Sequence, residues 1–418
     1  MSASAAAADA ERWLLALENF GIRPGLDRMS ALLAALALPD RPTVHLVGTN
    51  GKTSTTLLCT AMLQRAGLRA GAYVSPHVES FADRIHVGGA PLTDAAFGGL
   101  AGEIRAAVAT LPDGAGQFEA LTAIALLAFA RDGADVQVLE AGLGGRLDAT
   151  NAVRSDVQVL TSVGLDHQRW LGDTVEEIAL EKLAVVEPGG TLVLAPGLTP
   201  TVLALATGIA AERDATVVRA EAVPESAVRD PAVVGPFQRQ NLGVALAATR
   251  AVLARVPHAD RSVTDAALVG AGEDRLPIRG RLEVVGRQPL VVVDAAHNVQ
   301  AARALLAAFD GVAQGRPTVA VVAFLDDKDP SGILALLAER CDSFVATTTD
   351  SPRALPAAAV ARAARAHGAT AHEAATPSQA LALARAAAGP DGAVLVTGTT
   401  SLVRELHAPG AIANRSRF

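Results

Sequence analysis

Hydrophobic positions along the chain follow two periods, one typical of helices and one typical of short buried strands. Between residues 9 and 20 the apolar side chains fall on one helical face, with Phe20 the last of them. The run 43–47 (T-V-H-L-V) predicts a strand that ends at a glycine, and apolar residues at helical spacing follow through 57–62. The pattern therefore predicts a helix, then a strand, a loop and a second helix.

Further short apolar runs predict buried strands separated by helical stretches. These runs lie at 136–139, 157–160, 192–194, 290–293, 318–322, 343–346 and 393–396. The Ala- and Arg-rich segment 357–366 favours a helix. Strands that alternate with helices predict an α/β fold, with a mostly parallel sheet covered by helices on both faces.

A polar segment with proline and glycine, residues 273–280, separates two such series of strands. A chain of 418 residues is also too long for one ordinary core. We therefore expect an N-terminal domain over 1–275 and a smaller C-terminal domain over 276–418.

Composition narrows the class of protein. The formal net charge of −7 disfavours a general nucleic-acid binder. Only two cysteines, Cys59 and Cys341, indicate a reducing compartment. The N-terminus lacks a basic region before its apolar residues, and no apolar stretch is long enough to span a bilayer. We expect a cytoplasmic protein with no membrane partner.

The segment Gly48-Thr-Asn-Gly-Lys-Thr-Ser54 lies where the first strand passes into a helix. Backbone N–H groups in such a loop point towards an anion, and the helix N-terminus adds partial positive charge. The lysine reaches the β- and γ-phosphates of a nucleotide, and a following hydroxyl can hold Mg²⁺. The residues predicted to contact ATP here are Thr49, Asn50, Gly51, Lys52, Thr53 and Ser54.

Other interpretations of this loop are weaker. Its spacing is shorter than the usual G-x-x-x-x-G-K-[ST], so a plain turn before a helix is the simplest alternative. A GTPase would be expected to carry N-K-x-D, which the chain lacks. The glycines of Gly142-Leu-Gly-Gly-Arg-Leu147 end in leucine, where a dinucleotide-binding helix needs Gly or Ala.

A series of motifs in order along the chain resembles the Mur-type ligases, and in particular the folylpolyglutamate synthase and dihydrofolate synthase family. The match extends from about residue 13 to residue 406. Besides the phosphate loop, the motifs are Ser75-Pro-His-Val78, Phe81-Ala-Asp-Arg-Ile85, Phe118-Glu-Ala-Leu-Thr122, Glu140-Ala-Gly-Leu-Gly-Gly-Arg-Leu-Asp-Ala-Thr-Asn151, Thr161-Ser-Val-Gly-Leu-Asp-His167, Ile178-Ala-Leu-Glu-Lys182, Gly280-Arg-Leu-Glu283 and Asp294-Ala-Ala-His-Asn298.

This resemblance implies a P-loop ATPase domain followed by a Rossmann-like domain, with the active site between them. It implies an ATP-dependent amide ligase that adds L-glutamate to a pterin carboxylate, on dihydropteroate, on reduced folate or on both. The carboxylate is activated as an acyl phosphate, and ADP and phosphate are released. The cofactors are ATP and two Mg²⁺ ions, the partners are small molecules, and the protein is expected to be a monomer.

The resemblance also implies roles for particular residues. The catalytic group comprises Lys52, Glu140, His167 and Lys182, of which the last is carbamylated in the family. The metal ligands are expected among Thr53, Ser54, Ser75, Glu140 and His167. The remaining ATP contacts are expected from Asn241, Arg281, Asp294 and His297. The acceptor pocket is expected to involve Ser75, His77, Arg84, Phe118, Glu119, Thr122 and Asp148.

Arg281 follows the predicted domain boundary directly. A phosphate contact from this residue would link domain closure to ATP and exclude water from the acyl phosphate. We hold this as a hypothesis.

The chain departs from the family pattern in three places. Phe237 replaces a histidine, Thr53 replaces a frequent glycine, and 397–405 lacks the usual Ser/Tyr pattern. The main alternative is therefore a related ligase of secondary metabolism that joins a different amine and acid. A P-loop ATPase without ligase activity, a degenerate binding protein and a cell-wall Mur ligase are less favoured. Cell-wall ligases usually carry an additional domain before the loop, whereas only about 40 residues precede it here.

Overall fold

A computed structural model describes residues 3–18 and 25–407. The first predicted helix is present at Ala3–Glu18, and Phe20 lies outside the described residues. No helix in the described part of the chain is long and apolar enough to cross a membrane.

An eight-stranded sheet organises the first part of the chain. Its strands are β1 (Thr43–Val47), β2 (Ala70–Tyr73), β3 (Ile85–Val87), β4 (Ala90–Pro91), β5 (Val136–Glu140), β6 (Val157–Leu160), β7 (Thr191–Leu194) and β8 (Thr216–Arg219). The strand order is β4-β3-β2-β5-β1-β6-β7-β8. Only the pairings of β2 with β3 and of β3 with β4 are antiparallel.

The parallel register brings three strand ends to one edge of this sheet. Leu46 of β1 pairs with Glu140 at the end of β5, and Val47 pairs with Leu160 at the end of β6. Open α/β sheets bind ligands outside the carboxyl ends of their strands. The loops that follow β1, β5 and β6 therefore lie where a site is expected.

Helices connect these strands, and several of them begin at a threonine that caps the first turn. Thr93, Thr174, Thr199 and Thr264 each accept a backbone N–H with the side-chain oxygen. The helices are α1 (Ala3–Glu18), α2 (Asp27–Leu36), α3 (Lys52–Arg65), α4 (Asp94–Val108), α5 (Gln117–Asp132), α6 (Gln168–Leu171), α7 (Val175–Leu183), α8 (Pro200–Glu212), α9 (Pro231–Leu253) and α10 (Asp265–Asp274). Short 3-10 helices lie at Phe81–Arg84, Ala149–Ala152 and Glu225–Ala227.

A six-stranded sheet organises the last part of the chain, in the order β13-β12-β11-β14-β10-β9. Only β9 runs antiparallel to its neighbour. The strands are β9 (Glu283–Arg287), β10 (Leu290–Val293), β11 (Thr318–Val322), β12 (Ser343–Ala346), β13 (Thr370–Glu373) and β14 (Ala393–Thr397). The helices are α11 (Val299–Ala313), α12 (Pro330–Ala338), α13 (Ala357–Ala366), α14 (Pro377–Ala388) and α15 (Thr400–His407).

The predicted α/β class with mostly parallel sheets is confirmed. Each strand predicted from an apolar run is present to within one residue at either end. The sequence analysis did not identify six other strands, namely β2, β3, β4, β8, β9 and β13. Strands β8 and β13 lie at sheet edges and leave much of their surface exposed, so they lack a continuous apolar run.

The chain divides into two compact units. The first contains Met1–Arg229 and Gln240–Arg275, and the second contains Asp230–Arg239 and Leu276–Phe418. Residues 230–239 thus group with the second unit, whereas the predicted division assigned them to the first domain.

Local packing explains the placement of 230–239. Gly235 interrupts α9 with φ of 65°, and a Cβ there would lie 3.1 Å from the Cβ of Ala308. Phe237 packs against the core of the second unit, which contains Phe309, Phe324 and Phe344. The phenylalanine that replaces the family's histidine therefore serves as a packing residue in this structure.

The hydrophobic core of the first unit is close-packed around Gly71 of β2. A Cβ at this position would lie 2.3 Å from Cδ1 of Phe129, which is fully buried on α5. Overpacking a dense core forces side chains and backbone to shift.

We therefore expect Gly71→Ala to lower the free energy of unfolding by about 1–3 kcal/mol, measured by urea denaturation. Gly99→Ala is the matched control, because Gly99 lies inside α4 with no atom near its missing Cβ. That variant should be neutral or more stable by up to about 1 kcal/mol. Equal effects of the two substitutions would contradict the packing described here.

Candidate active site

The loop between β1 and α3 requires glycine at both ends. Gly48 has φ of 155°, and a Cβ there would lie 2.0 Å from Oγ1 of Thr161. Gly51 has φ of 86°, and its Cβ would lie 2.8 Å from Oδ1 of Asn241. Both φ values lie in the region that glycine favours. Asn241, predicted to contact ATP, is thus placed directly against the loop.

Hydrogen bonds hold this loop to the segment that follows β6. The backbone N–H groups of Thr49 and Asn50 donate to the carbonyl oxygen and to Oγ of Ser162, at 3.0 Å and 2.7 Å. Thr161 Oγ1 donates to the Asn50 carbonyl at 2.7 Å, and Gly164 N donates to Thr49 Oγ1 at 3.0 Å. The loop is therefore fixed from a neighbouring strand end.

Lys52 folds back over the loop that precedes it. Its Nζ donates to the carbonyl oxygens of Gly48 at 2.8 Å and of Thr49 at 3.4 Å. Lys52 is also the first residue of α3, whose N-terminus adds partial positive charge. A fixed loop, an ammonium group and a helix N-terminus together form an anion-binding site.

The carboxylate of Glu140, at the end of β5, joins two other predicted site residues. Thr53 Oγ1 donates to Oε1 at 3.0 Å, and the Ser75 backbone N–H donates to Oε2 at 3.0 Å. Glu140 is 1% exposed. Of the two hydroxyl residues predicted to hold the metal here, Thr53 is the one that bonds to Glu140. The other, Ser54, is buried on α3.

These groups fit a hard divalent cation. Mg²⁺ prefers oxygen ligands and typically binds one or two carboxylates together with water and substrate phosphates. Glu140 and Thr53 supply such oxygens next to the phosphate loop. The described residues contain no cluster of three His, Cys, Asp or Glu side chains that would hold a metal alone.

His167 lies directly before the short helix α6. It has φ of 52°, its side chain is 39% exposed, and its Nε2 lies 3.8 Å from Oδ1 of Asp166. The segment that ends at His167 begins with the residues that hold the phosphate loop. The predicted histidine therefore belongs to the same group of loops at this sheet edge.

Lys182 is buried on α7 and is 3% exposed. Burial, followed by the positive charge of Lys52, lowers the pKa of Lys182 to about 7. The carboxylates of Asp166 and Asp148 act in the opposite direction. Near neutral pH a large fraction of this amine is therefore uncharged and nucleophilic.

A cavity of about 910 Å³ lies within the first unit. Phe118 of α5, Leu147 and Trp170 supply apolar and aromatic walls, and Ser75 lines the same cavity. Because the Ser75 backbone N–H is bonded to Glu140, one residue connects the cavity with the phosphate-loop group. The volume is in the range of small-molecule pockets.

Asp148 shapes a wall of this cavity. Its Oδ2 accepts the Leu143 N–H at 2.9 Å, and its Oδ1 accepts the Thr150 N–H at 3.1 Å. Burial raises the pKa of Asp148, and these hydrogen bonds oppose that shift. Phe118 packs so closely on the adjacent Gly142 that a Cβ there would lie 2.7 Å from the ring.

Other residues predicted for the acceptor pocket have protein partners. Glu119 lines the cavity but accepts two hydrogen bonds from Arg28, at 2.8 Å and 3.1 Å. Thr122 is fully buried and donates to the Phe118 carbonyl, so it serves packing rather than lining the cavity. Arg84 Nε donates to His77 Nδ1 at 3.0 Å, and this pair is not among the described residues that line the cavity.

In the second unit, Asp294 follows β10 and holds the backbone near Arg281. Its carboxylate accepts the N–H groups of Leu282 and Ala296, both at 2.8 Å. Burial raises the pKa of Asp294, and the positive charge of Arg281 and an electrostatic interaction with His297 oppose this shift. The three residues predicted for ATP in this unit therefore lie together.

Two domain families match the chain. The Mur ligase middle domain matches residues 46–195, and the Mur ligase, glutamate ligase domain matches residues 280–400. The dihydrofolate synthase/folylpolyglutamate synthase of Mycobacterium tuberculosis is 35% identical over 82% of this chain and 78% of that protein.

The chain belongs to the dihydrofolate synthase/folylpolyglutamate synthase family of Mur ligases.

Solved structures of this family share the fold along nearly the whole chain. Escherichia coli FolC in complex with DHPP and ADP has a TM-score of 0.83 and 30% identity, over 95% of this chain and 96% of that one. The bifunctional folylpolyglutamate synthase/dihydrofolate synthase from Yersinia pestis, complexed with AMPPNP and Mn ion, has a TM-score of 0.81 and 32% identity, over 96% and 97%. This family membership makes the chain an ATP-dependent ligase that uses a divalent metal.

Several residues of this ligase site were not identified from the sequence. Arg28 pairs with Glu119 across 91 positions, and it belongs to none of the quoted motifs. Trp170 and Leu147 line the cavity although each is 47% exposed. The available signal was a large apolar side chain within one matched motif, Leu147, and another shortly after the motif that ends at His167, Trp170.

Gly48→Ala tests the loop geometry. The added Cβ must displace Thr161, which fixes Asn50, so we expect ADP affinity to fall at least about tenfold in calorimetric titration. Gly102→Ala on α4, where the added Cβ meets no atom, is the control and should bind ADP like the parent protein. Unchanged affinity in Gly48→Ala would contradict the described loop.

Proposed function

We propose that this ligase adds L-glutamate to the carboxylate of a pterin-linked acid, either dihydropteroate or a reduced folate. The observation that carries the proposal is the position of Ser75. This residue lines the cavity of about 910 Å³, and its backbone N–H bonds to Glu140, whose other oxygen accepts the hydroxyl of Thr53. A flat aromatic acid in the cavity would thus have its carboxylate near the phosphate loop.

The proposed reaction has two steps, transfer of a phosphoryl group and then formation of the amide bond. An oxygen of the acceptor carboxylate attacks the γ-phosphorus of ATP, the bond to the β-phosphate oxygen breaks, and ADP leaves. The amine of glutamate then attacks the acyl carbon, phosphate leaves with the former carboxylate oxygen, and the amine loses its proton. Charge spread over the transferred phosphoryl group is best stabilised by fixed donors and cations. Lys52 and the N-terminus of α3 supply these in our proposal.

Divalent cations complete the proposed site. Two Mg²⁺ ions would neutralise charge on the phosphates, with Thr53, Ser75, Glu140 and His167 as protein ligands or as partners of bound water. The family relative with AMPPNP and Mn ion supports the use of a divalent metal. The buried carboxylate of Glu140, which accepts a hydrogen bond from the Thr53 hydroxyl, supports its placement at the phosphate loop.

We further propose that Lys182 carries a carbamate. A neutral amine adds CO₂ and loses a proton, and the product is an anion that can hold Mg²⁺ or its waters. A protonated Lys182 would repel the cation and Lys52 alike. The lowered pKa of about 7 supports the modification, because it makes the reactive amine available at neutral pH.

Arg281, Asp294 and His297 are proposed to contact ATP from the second unit. The proposal is supported by the clustering of these residues. The Asp294 carboxylate accepts the N–H groups of Leu282 and Ala296, and it interacts electrostatically with Arg281 and His297.

A direct assay tests the proposed reaction. Purified protein is incubated with ATP, Mg²⁺, bicarbonate and L-glutamate, and phosphate release is measured with dihydropteroate, with tetrahydrofolate and with no acceptor. We expect release to require a pterin acceptor, with a product heavier by one glutamate residue in mass spectrometry. If neither pterin gives phosphate release, in protein that still binds ATP, the folate assignment would be replaced by a ligase that joins a different acid and amine.

A separate experiment tests Lys182. After removal of CO₂, we expect added bicarbonate to restore phosphate release at about pH 8 and to restore much less at about pH 6, where the amine is protonated. Carbon-13 bicarbonate should give a carbamate signal in NMR that is absent from Lys182→Arg, because a guanidinium stays charged. A parent protein with full activity without CO₂ and no carbamate signal would refute the modification.

A further inference from the structure

A buried chain of three polar side chains starts on the strand that carries the phosphate loop. His45 lies in the middle of β1 and is fully buried. Its Nε2 lies 2.8 Å from Oγ1 of Thr150, which is also fully buried. That hydroxyl lies 2.5 Å from Oδ1 of Asp148. None of the site roles discussed above uses His45 or the hydroxyl of Thr150.

The protons in this chain can be assigned from the partners of Asp148. The backbone N–H groups of Thr150 and Leu143 donate to its two oxygens, so the carboxylate acts as an acceptor at both. The Thr150 hydroxyl therefore donates to Asp148 and accepts from His45 Nε2–H. Burial lowers the pKa of His45 to about 4, which keeps the imidazole neutral.

The other ring nitrogen supports this assignment. Nδ1 of His45 is buried and has no hydrogen-bond partner among the described residues. With the proton on Nε2, the Nδ1 atom carries only an acceptor lone pair, and this lone pair has no hydrogen-bond partner among the described residues. The opposite tautomer would place an unpaired N–H in the core and would leave Thr150 without a donor, and orphaned buried N–H groups are rare.

The hydrogen-bonded chain of His45, Thr150 and Asp148 ends at the cavity. Asp148 Oδ2 holds the N–H of Leu143, and both residues line the cavity together with Gly142. Phe118 packs directly on Gly142. A change in the orientation of Asp148 would therefore move the wall against which Phe118 rests.

We propose that His45 is a positioning residue for the acceptor: acting through Thr150, it fixes the Asp148 carboxylate and thereby the Gly142–Leu143 wall of the cavity. It acts from the same strand that carries the phosphate loop, but on the acceptor side of the site. The identity of the ligand rests on the proposed function, with dihydropteroate as the acceptor.

The test separates acceptor binding from nucleotide binding. His45→Leu removes the donor, and we expect the KM for dihydropteroate to rise about tenfold while the KM for ATP changes less than about twofold. His45→Gln keeps an N–H near the Nε2 position and should restore a KM within about threefold of the parent value.

Thr43→Val is the matched control. Thr43 lies on the same face of β1, is fully buried, and accepts a hydrogen bond from Gln137 at 2.8 Å. Loss of this hydrogen bond in Thr43→Val should lower thermal stability without raising the KM for dihydropteroate. If His45→Leu and Thr43→Val change both KM values alike, His45 has only a structural role and the proposal is wrong.

Thr150→Val and the double variant that combines it with His45→Leu complete a double-mutant cycle. Because both residues act on one carboxylate, the double variant should raise the KM for dihydropteroate no more than about twofold beyond the larger single effect. If the increases in KM of the two single variants multiply in the double variant, the proposal is wrong. If His45→Leu does not fold, Thr150→Val alone must raise the KM for dihydropteroate and leave the KM for ATP unchanged. If the parent protein uses only tetrahydrofolate, the same KM comparisons are made with that acceptor, and a parent protein that uses neither pterin would instead count against the proposed function.

Discussion

The site depends on two hydrogen bonds that the buried carboxylate of Glu140 accepts. One comes from the hydroxyl of Thr53 at the start of α3, and the other comes from the backbone of Ser75 after β2. Removing a buried charged acceptor from such a pair leaves its partners unsatisfied. Glu140 therefore connects the start of α3 and the rim of the cavity to one strand end, at a common edge of the sheet.

The parallel sheet makes this arrangement possible. In register, the ends of β5, β1 and β6 lie side by side, so their following loops must share a small volume. The loop after β1 has little freedom there, since Thr161 and Asn241 occupy the space that a side chain at Gly48 or Gly51 would need. A rigid loop holds the N-terminus of α3 in place before a phosphate arrives, and this reduces the entropic cost of binding.

The sequence was sufficient to predict the central strands and the family, because apolar runs and ordered motifs are local signals. It was less informative about contacts between distant residues. Glu119 belongs to a matched motif, yet only the structure shows that Arg28 already pairs with it. Thr122 matches as well, but its side chain is fully buried. A motif fixes which residue is present, whereas its partners depend on the tertiary packing.

We propose above all that the acceptor carboxylate itself receives the phosphoryl group of ATP. The most direct measurement uses dihydropteroate labelled with oxygen-18 in its carboxylate, with mass analysis of the phosphate released during ligation. We expect one labelled oxygen in each phosphate, since the former carboxylate oxygen leaves with phosphorus. Unlabelled phosphate formed together with glutamylated product would contradict activation through an acyl phosphate.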